Sequence, residues 1–384
     1  MSSVIPSAVS SEWAAPDRWA TADVARIGLQ DVSAAPLIVE KDIVRVAADL
    51  DIWDAWPVQI QSGAPMAFEG GMTLWMALAS PRFEDPDARH GHARIHLLRR
   101  DAMGWSDLGP AMPDGFSPGS REWSGSAVLD ADERSLTLYF TATGRRGEAT
   151  LTFEQRLFSA RATLEIAADR PRFSGWRDLR EIVERDPAHY MASDGGVGVV
   201  GTIKAFRDPA YFHDPRHGGH YLFFAGSAAN GAEFNGVIGA AVSSSGVADD
   251  WRLAPPLIDA TEVNNELERP HVVVADGLYY MFWSTQTHVF APGLRQAPTG
   301  LYGMVSDRLS HGWRPLNGTG LVFANPKAAP RQAYSWLVLP DLSVISFIDD
   351  WGRAAEATGS RRFGATFAPT LRLSLRGDQA KLQG

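Results

Sequence analysis

Apolar and polar positions alternate along this chain in short runs, a pattern that predicts strands far more often than helices. Residues 72–78 (Met-Thr-Leu-Trp-Met-Ala-Leu) read as a strand, and so do 93–98, 135–141, 149–158, 197–204, 220–225 and 235–242. The series continues with 270–275, 278–284, 300–305, 336–339, 343–348 and 366–373, each bounded by Gly, Pro, Asn or Asp. Helical periodicity is confined to 22–27, behind a Thr or Asp cap, and 179–184. Many short strands separated by turn signals suggest a sandwich, a barrel or a propeller. A propeller sends an inner strand from each blade to a common axis, so residues far apart in the chain can meet there. No repeat of the WD or kelch kind and no linker is visible. Residues 63–71 and 291–299 read as surface loops, 1–20 as an N-terminal arm, and 21–384 as a single domain.

Three acidic segments interrupt the alternation. Asp54 lies in Asp51-Ile52-Trp53-Asp54-Ala55-Trp56-Pro57, a carboxylate between two indoles. Downstream stand Phe206-Arg207-Asp208-Pro209 and Glu266-Leu267-Glu268-Arg269-Pro270-His271. An Arg-Asp-Pro or Glu-Arg-Pro alone is ordinarily a turn with an ion pair; the three together suggest one site assembled from distant strands. Cleavage of a glycosidic bond needs two carboxyl groups, about 5–5.5 Å apart in retaining enzymes, with pKa values pushed in opposite directions. Asp54 suits the anion, walled from water by its indoles and held ionised by a donor such as Ser124. Glu268 suits the proton donor, with Glu266 on the same side of an extended strand raising its pKa. Asp208, beside Arg207, is expected to stay ionised and to accept hydrogen bonds from sugar hydroxyls.

Composition narrows the picture. A net charge of −9 over 384 residues argues against nucleic acid and anionic membranes as partners. With no cysteine, disulfides, thiolate metal sites and a cysteine nucleophile are excluded. Of the 13 tryptophans, about half are expected in the core and the rest against carbohydrate, whose C–H faces stack on indole. The start of the chain lacks the pattern of a signal peptide, and no apolar run is long enough to cross a membrane. His90, His92 and His96, and likewise His213, His217 and His220, are expected to be surface histidines rather than metal ligands.

From about residue 19 to 373 the chain resembles glycoside hydrolase family 68, the levansucrases, inulosucrases and related bacterial β-fructofuranosidases. The resemblance is carried by the three acidic segments together with Glu122-Trp123-Ser124-Gly125-Ser126-Ala127, Asn235-Gly236-Val237-Ile238-Gly239, Pro315-Leu316-Asn317-Gly318, Tyr334-Ser335 and Phe363-Gly364-Ala365-Thr366-Phe367-Ala368-Pro369. It implies an all-β, five-bladed β-propeller with a deep axial pocket, sucrose as fructosyl donor, and double displacement with retention. Asp54 matches the nucleophile, Glu268 the general acid/base and Asp208 the transition-state stabiliser. Trp53 and Trp123 would wall the fructose subsite, Ser124 would orient Asp54, Arg207 would bind the fructosyl side and Arg269 the glucosyl side. Glu266 and Tyr334 join the substrate site, and His271 matches a position linked to acceptor handling. Gln286 stands where polymer-forming relatives often carry arginine or histidine, and Ala225 where many carry glutamate. Asn265 replaces an aspartate that binds calcium in some relatives, so neither metal nor cofactor is expected. The implied partners are sucrose and fructan or sugar acceptors, and the implied protein is a bacterial monomer, cytoplasmic or secreted without a recognisable signal peptide. A β-fructofuranosidase favouring water and a non-catalytic sugar-binding propeller are the alternatives.

Overall fold

In the computed structural model the short strands pair antiparallel into five consecutive blades. The structure describes residues 13, 15–28, 32–167, 170–192, 203–243 and 250–383. The innermost strand of each blade comes first in the chain: Leu50–Gln59, Arg121–Leu129, Phe206–His213, Glu268–Ala275 and Ala333–Val338. Each inner strand touches the next, and the ring closes where Ser343–Ile348 of the fifth blade meets Leu50–Gln59 of the first. This is the expected five-bladed propeller.

Every inner strand carries the same defect. The pairing slips between Trp53 and Trp56, Trp123 and Gly125, Arg207 and Ala210, Glu268 and His271, and Tyr334 and Leu337. A β-bulge bends a strand and re-aims the side chains at the slip. At four of the five, the second residue takes a left-handed backbone: Asp54 (φ 51), Asp208 (φ 62), Arg269 (φ 50) and Ser335 (φ 59). Such conformations cost non-glycine residues energy and persist only where the surroundings enforce them. Here hydroxyls from neighbouring strands satisfy the freed backbone. Thr141 Oγ1 accepts from Asp208 N at 2.9 Å, Ser126 Oγ donates to Pro209 O and accepts from Tyr211 N, and Ser284 Oγ accepts from Trp336 N. Pro209 and Pro270 fall within bulges, where a missing N–H costs no ladder bond. At the remaining slip Gly125 is required, because a Cβ there would lie 1.9 Å from Tyr139 O.

The bulges explain which strands the sequence hid. Leu50–Gln59, Arg121–Leu129 and Phe206–His213 lose their alternation at the slip, and Trp251–Asp259 carries Pro255 and Pro256 inside another irregularity. Residues 179–184 are not helical as periodicity suggested: the strand Arg170–Glu181 pairs with Gln155–Ala167, and pairing overrides the local signal. Of the expected strand 197–204, residues 197–202 lie outside the described residues, and 203–204 are not in a strand. The one α-helix among the described residues, Thr21–Ala25, falls within a residue or two of expectation.

Residues 1–12 and 14 of the expected arm lie outside the described residues. Its end is built into the propeller. Asp17–Arg18 pairs parallel with the outer strand of the third blade, and Trp19 is wholly buried, edge-on to Trp283 and Phe290. Further on, the side chain of Gln332 grips Ile38 N and Pro36 O, so the chain is strapped across the fifth blade before entering the first.

Candidate active site

The five bulges turn a pair of residues from each blade toward the axis. These pairs are Trp53-Asp54, Trp123-Ser124, Arg207-Asp208, Glu268-Arg269 and Tyr334-Ser335, and all ten residues line one cavity of about 460 Å³. That volume is within the range of small-ligand sites, about 300–1,000 Å³. Glu266 and Gln286 line it too.

Asp54 Oδ2 accepts from the Ser124 hydroxyl at 3.0 Å. The Arg269 guanidinium lies 3.9 Å from Asp54 Oδ1, fixed by bonds to Ala55 O (2.7 Å) and Ser335 Oγ (2.9 Å). Burial raises the pKa of Asp54, while Arg269, Ser335 and Ser124 oppose that rise and Glu268 adds to it. On the opposite side Arg207 serves three acids at once: Glu268 at 3.0 Å, Glu266 at 3.5 Å and Asp208 at 3.8 Å. Gln155 Oε1 supports it from the second blade, accepting from Arg207 Nη1 and Phe206 N. Burial, the charge of Glu268 and that of Asp208 outweigh Arg207 and push Glu266 upward. Asp208 is likewise pushed up to about 7 by burial, against Arg207 and with Glu268 and Asp54. Asp208, expected from the sequence to stay ionised beside Arg207, is thus a weaker acid than an exposed carboxylate, because burial outweighs the charges of Arg207 and Arg269. Four carboxylates thus face two guanidinium groups across the cavity.

A nucleophilic carboxylate braced by hydroxyls, a second carboxylic group across the cavity and an indole wall are the parts of a retaining glycosidase. The sequence model of the Levansucrase/Invertase family, glycoside hydrolase family 68, matches residues 9–236 and 227–383. The chain belongs to that family. It is 30% identical to levansucrase LscA of Pseudomonas savastanoi pv. glycinea, covering 96% of this chain and 94% of that one. Among solved structures, the inulosucrase from Halalkalicoccus jeotgali bound to kestose is 37% identical, with TM-score 0.87 and 96% of each chain covered. The levansucrase from Gluconacetobacter diazotrophicus shares the fold, at TM-score 0.81 and 24% identity over 97% of this chain and 91% of that one.

Most residues singled out by the family resemblance face the cavity, and four residues stand apart from expectation. His271 does not. Its Nδ1 is 2.8 Å from Arg269 O in the same strand and its Nε2 accepts from Val338 N at 2.9 Å, so both ring nitrogens are spent, the second on bracing the fourth blade against the fifth. Trp56 is buried in the core and does not line the cavity, so one indole, Trp53, and not two, flanks Asp54. His90, expected at the surface, borders the cavity, and His96 is buried against Asp107 at 2.9 Å. Ser335 and Gln155, which no assigned role singled out, complete the supports of the two arginines. Ala225 pairs across the sheet with Arg207, with Gln155 supplying the polar support from the other side.

The position linked to calcium in some relatives is built differently. Lys204 Nζ lies 2.8 Å from Asn265 Oδ1 and 2.8 Å from Asn235 Oδ1, and also bonds Glu233 O. Both amide oxygens point at an ammonium group, and a divalent cation prefers carboxylates to amides. These residues do not fit calcium. Among the described residues no group of three or more His, Asp and Glu is placed to hold a metal.

Proposed function

We propose that this pocket splits sucrose by double displacement with retention and passes the fructosyl group to a sugar acceptor, making levan or short fructo-oligosaccharides. The observation that carries the reading is convergence: Asp54, Asp208 and Glu268 come from three different blades and line one indole-walled cavity. Glu268 gives its proton to the glycosidic oxygen while Asp54 attacks the anomeric carbon of the fructosyl unit, and glucose leaves. Glu268, now a carboxylate held by Arg207, takes the proton of an acceptor hydroxyl, which displaces Asp54 from the same carbon. Asp208 in its anionic form accepts hydrogen bonds that strengthen as positive charge develops on the ring. Arg269 and Ser124 keep Asp54 in place through both steps. A fructan acceptor is supported by the kestose held by the inulosucrase relative.

Gln286 favours the second reading, hydrolysis. It sits beside Tyr334 in the cavity wall as a neutral amide, and a cation there is what the polymer-forming pattern carries. Incubation with sucrose decides: transfer leaves free fructose well below free glucose with oligomers accumulating, hydrolysis leaves the two equal, and no glucose release at all rejects both.

A further inference from the structure

We propose that His90 orients the donor sugar, its Nε2 accepting a hydrogen bond from a hydroxyl of the unit that lies against Trp53. The proposal rests on the reading of the pocket as a sucrose site and adds a residue to it from a loop remote from the acidic segments.

His90 belongs to the short 3₁₀ segment Pro86–Gly91, capped by Asp85, whose carboxylate accepts from Asp87 N. Its Nδ1 is 3.0 Å from Asp87 O. A carbonyl only accepts, so Nδ1 carries the proton and Nε2 carries the lone pair. The ring borders the cavity and meets Trp53 edge-on, with centroids 6.1 Å apart and planes at 75°. Among the described residues no group bonds Nε2. The two arginines on this side of the cavity are tied to the rim. Arg89 donates to Pro86 O and Asp87 while its guanidinium covers Phe363, and Arg361 is held by Asp349 at 2.8 Å and Asp87 at 3.4 Å. This acceptor, without a partner among the described residues, thus belongs to a ring on the border of the cavity, against the indole beside Asp54. Burial and the charges of Arg89, Arg361 and Arg207, opposed by the Asp87 carbonyl, keep the imidazole neutral, so the lone pair stays available in the working range. A neutral acceptor suits a hydroxyl and, unlike a carboxylate, adds no charge to an already crowded set of acids.

Two variants separate this role from simple packing. His90→Phe keeps a ring against Trp53 and removes the acceptor, while His90→Gln places an amide oxygen near Nε2. Initial rates on sucrose are expected to show KM raised about tenfold in His90→Phe with kcat little changed, and most of the loss restored in His90→Gln. A wild type that releases glucose from sucrose and a His90→Phe enzyme with unchanged KM would overturn the role of His90 alone. Equal losses in both variants, accompanied by lowered Tm, would also overturn it, in favour of packing. A wild type that releases no glucose overturns the sucrose reading beneath, and this proposal with it.

Discussion

The floor of the pocket and its rim are held by different forces. The floor consists of paired residues at five bulged strands, each fixed by a hydrogen-bonded ladder and a neighbouring blade. The rim beside Trp53 is made of irregular segments, 85–92 and 349–363, clasped by Asp87, Arg361 and Asp349. Asp87 is substantially exposed, so its pair with Arg361 contributes about 0–1 kcal/mol and weakens with salt, while the pair of Arg361 with the buried Asp349 is shielded. A strand ladder positions a reacting atom to fractions of an ångström; a clasp of charges positions a wall. The difference teaches where change is tolerated. The floor fixes the carboxylates, and the rim forms a wall beside Trp53.

The largest effect should come from the floor. Glu268→Gln is expected to lower kcat on sucrose by roughly 10³–10⁵-fold, since it removes both proton transfers. Asp349→Asn at the rim should change kcat/KM by less than about tenfold and shift the ratio of oligomer to free fructose. Comparable losses in kcat from both would break the comparison. Next, Ser335→Ala takes a hydrogen bond from Arg269 and one from the Asp54 carboxylate, and should cost about tenfold in kcat with KM held.

A smaller effect concerns stability. Asp208 has a folded pKa of about 7, above the ordinary 3.8. The folded state therefore binds the extra proton, which favours folding fully below about pH 4 and is lost as pH rises through about 7. Asp208→Asn should accordingly be inactive yet more stable than wild type at pH 8, by on the order of 1–3 kcal/mol, with the gap closing by pH 4. Thermal unfolding at both pH values tests the sign; a variant less stable at pH 8 contradicts it. The smallest effect belongs to Lys204, whose side chain is partly exposed. Lys204→Met should lower stability by about 1 kcal/mol, and a chelator should leave the wild-type Tm unchanged. A chelator that lowers Tm would show a metal where the ammonium stands.

The sequence made the acids legible and concealed the frame that presents them. Asp54, Asp208 and Glu268 stood out because each lies in an unusual local setting, and their convergence followed from the fold class. Trp-Asp, Trp-Ser, Arg-Asp, Glu-Arg and Tyr-Ser occupy equivalent positions, but no residue type is common to all five, so the fivefold repeat is one of geometry rather than of sequence. The bulges that create it also erase the alternation by which strands are recognised. His271 was misread because adjacency to Glu268 suggested a shared face, and beyond the slip the strand turns that ring to Val338. His90 was invisible for the opposite reason: its direction depends on a segment anchored by Arg361, far away in the chain. Ser335 was within reach, as the hydroxyl following Tyr334 occupies the place that Ser124 holds after Trp123.

The central claim is that Asp54 forms the bond to the fructosyl unit with Glu268 across the same cavity. A Glu268→Ala enzyme, given a fructosyl donor whose leaving group needs no proton, should complete the first step and stall at the second. Peptide mass analysis after a rapid quench should then find one fructosyl group on the peptide that contains Asp54 and on no other. An adduct on a different residue, or consumption of the donor without any adduct, would contradict the account.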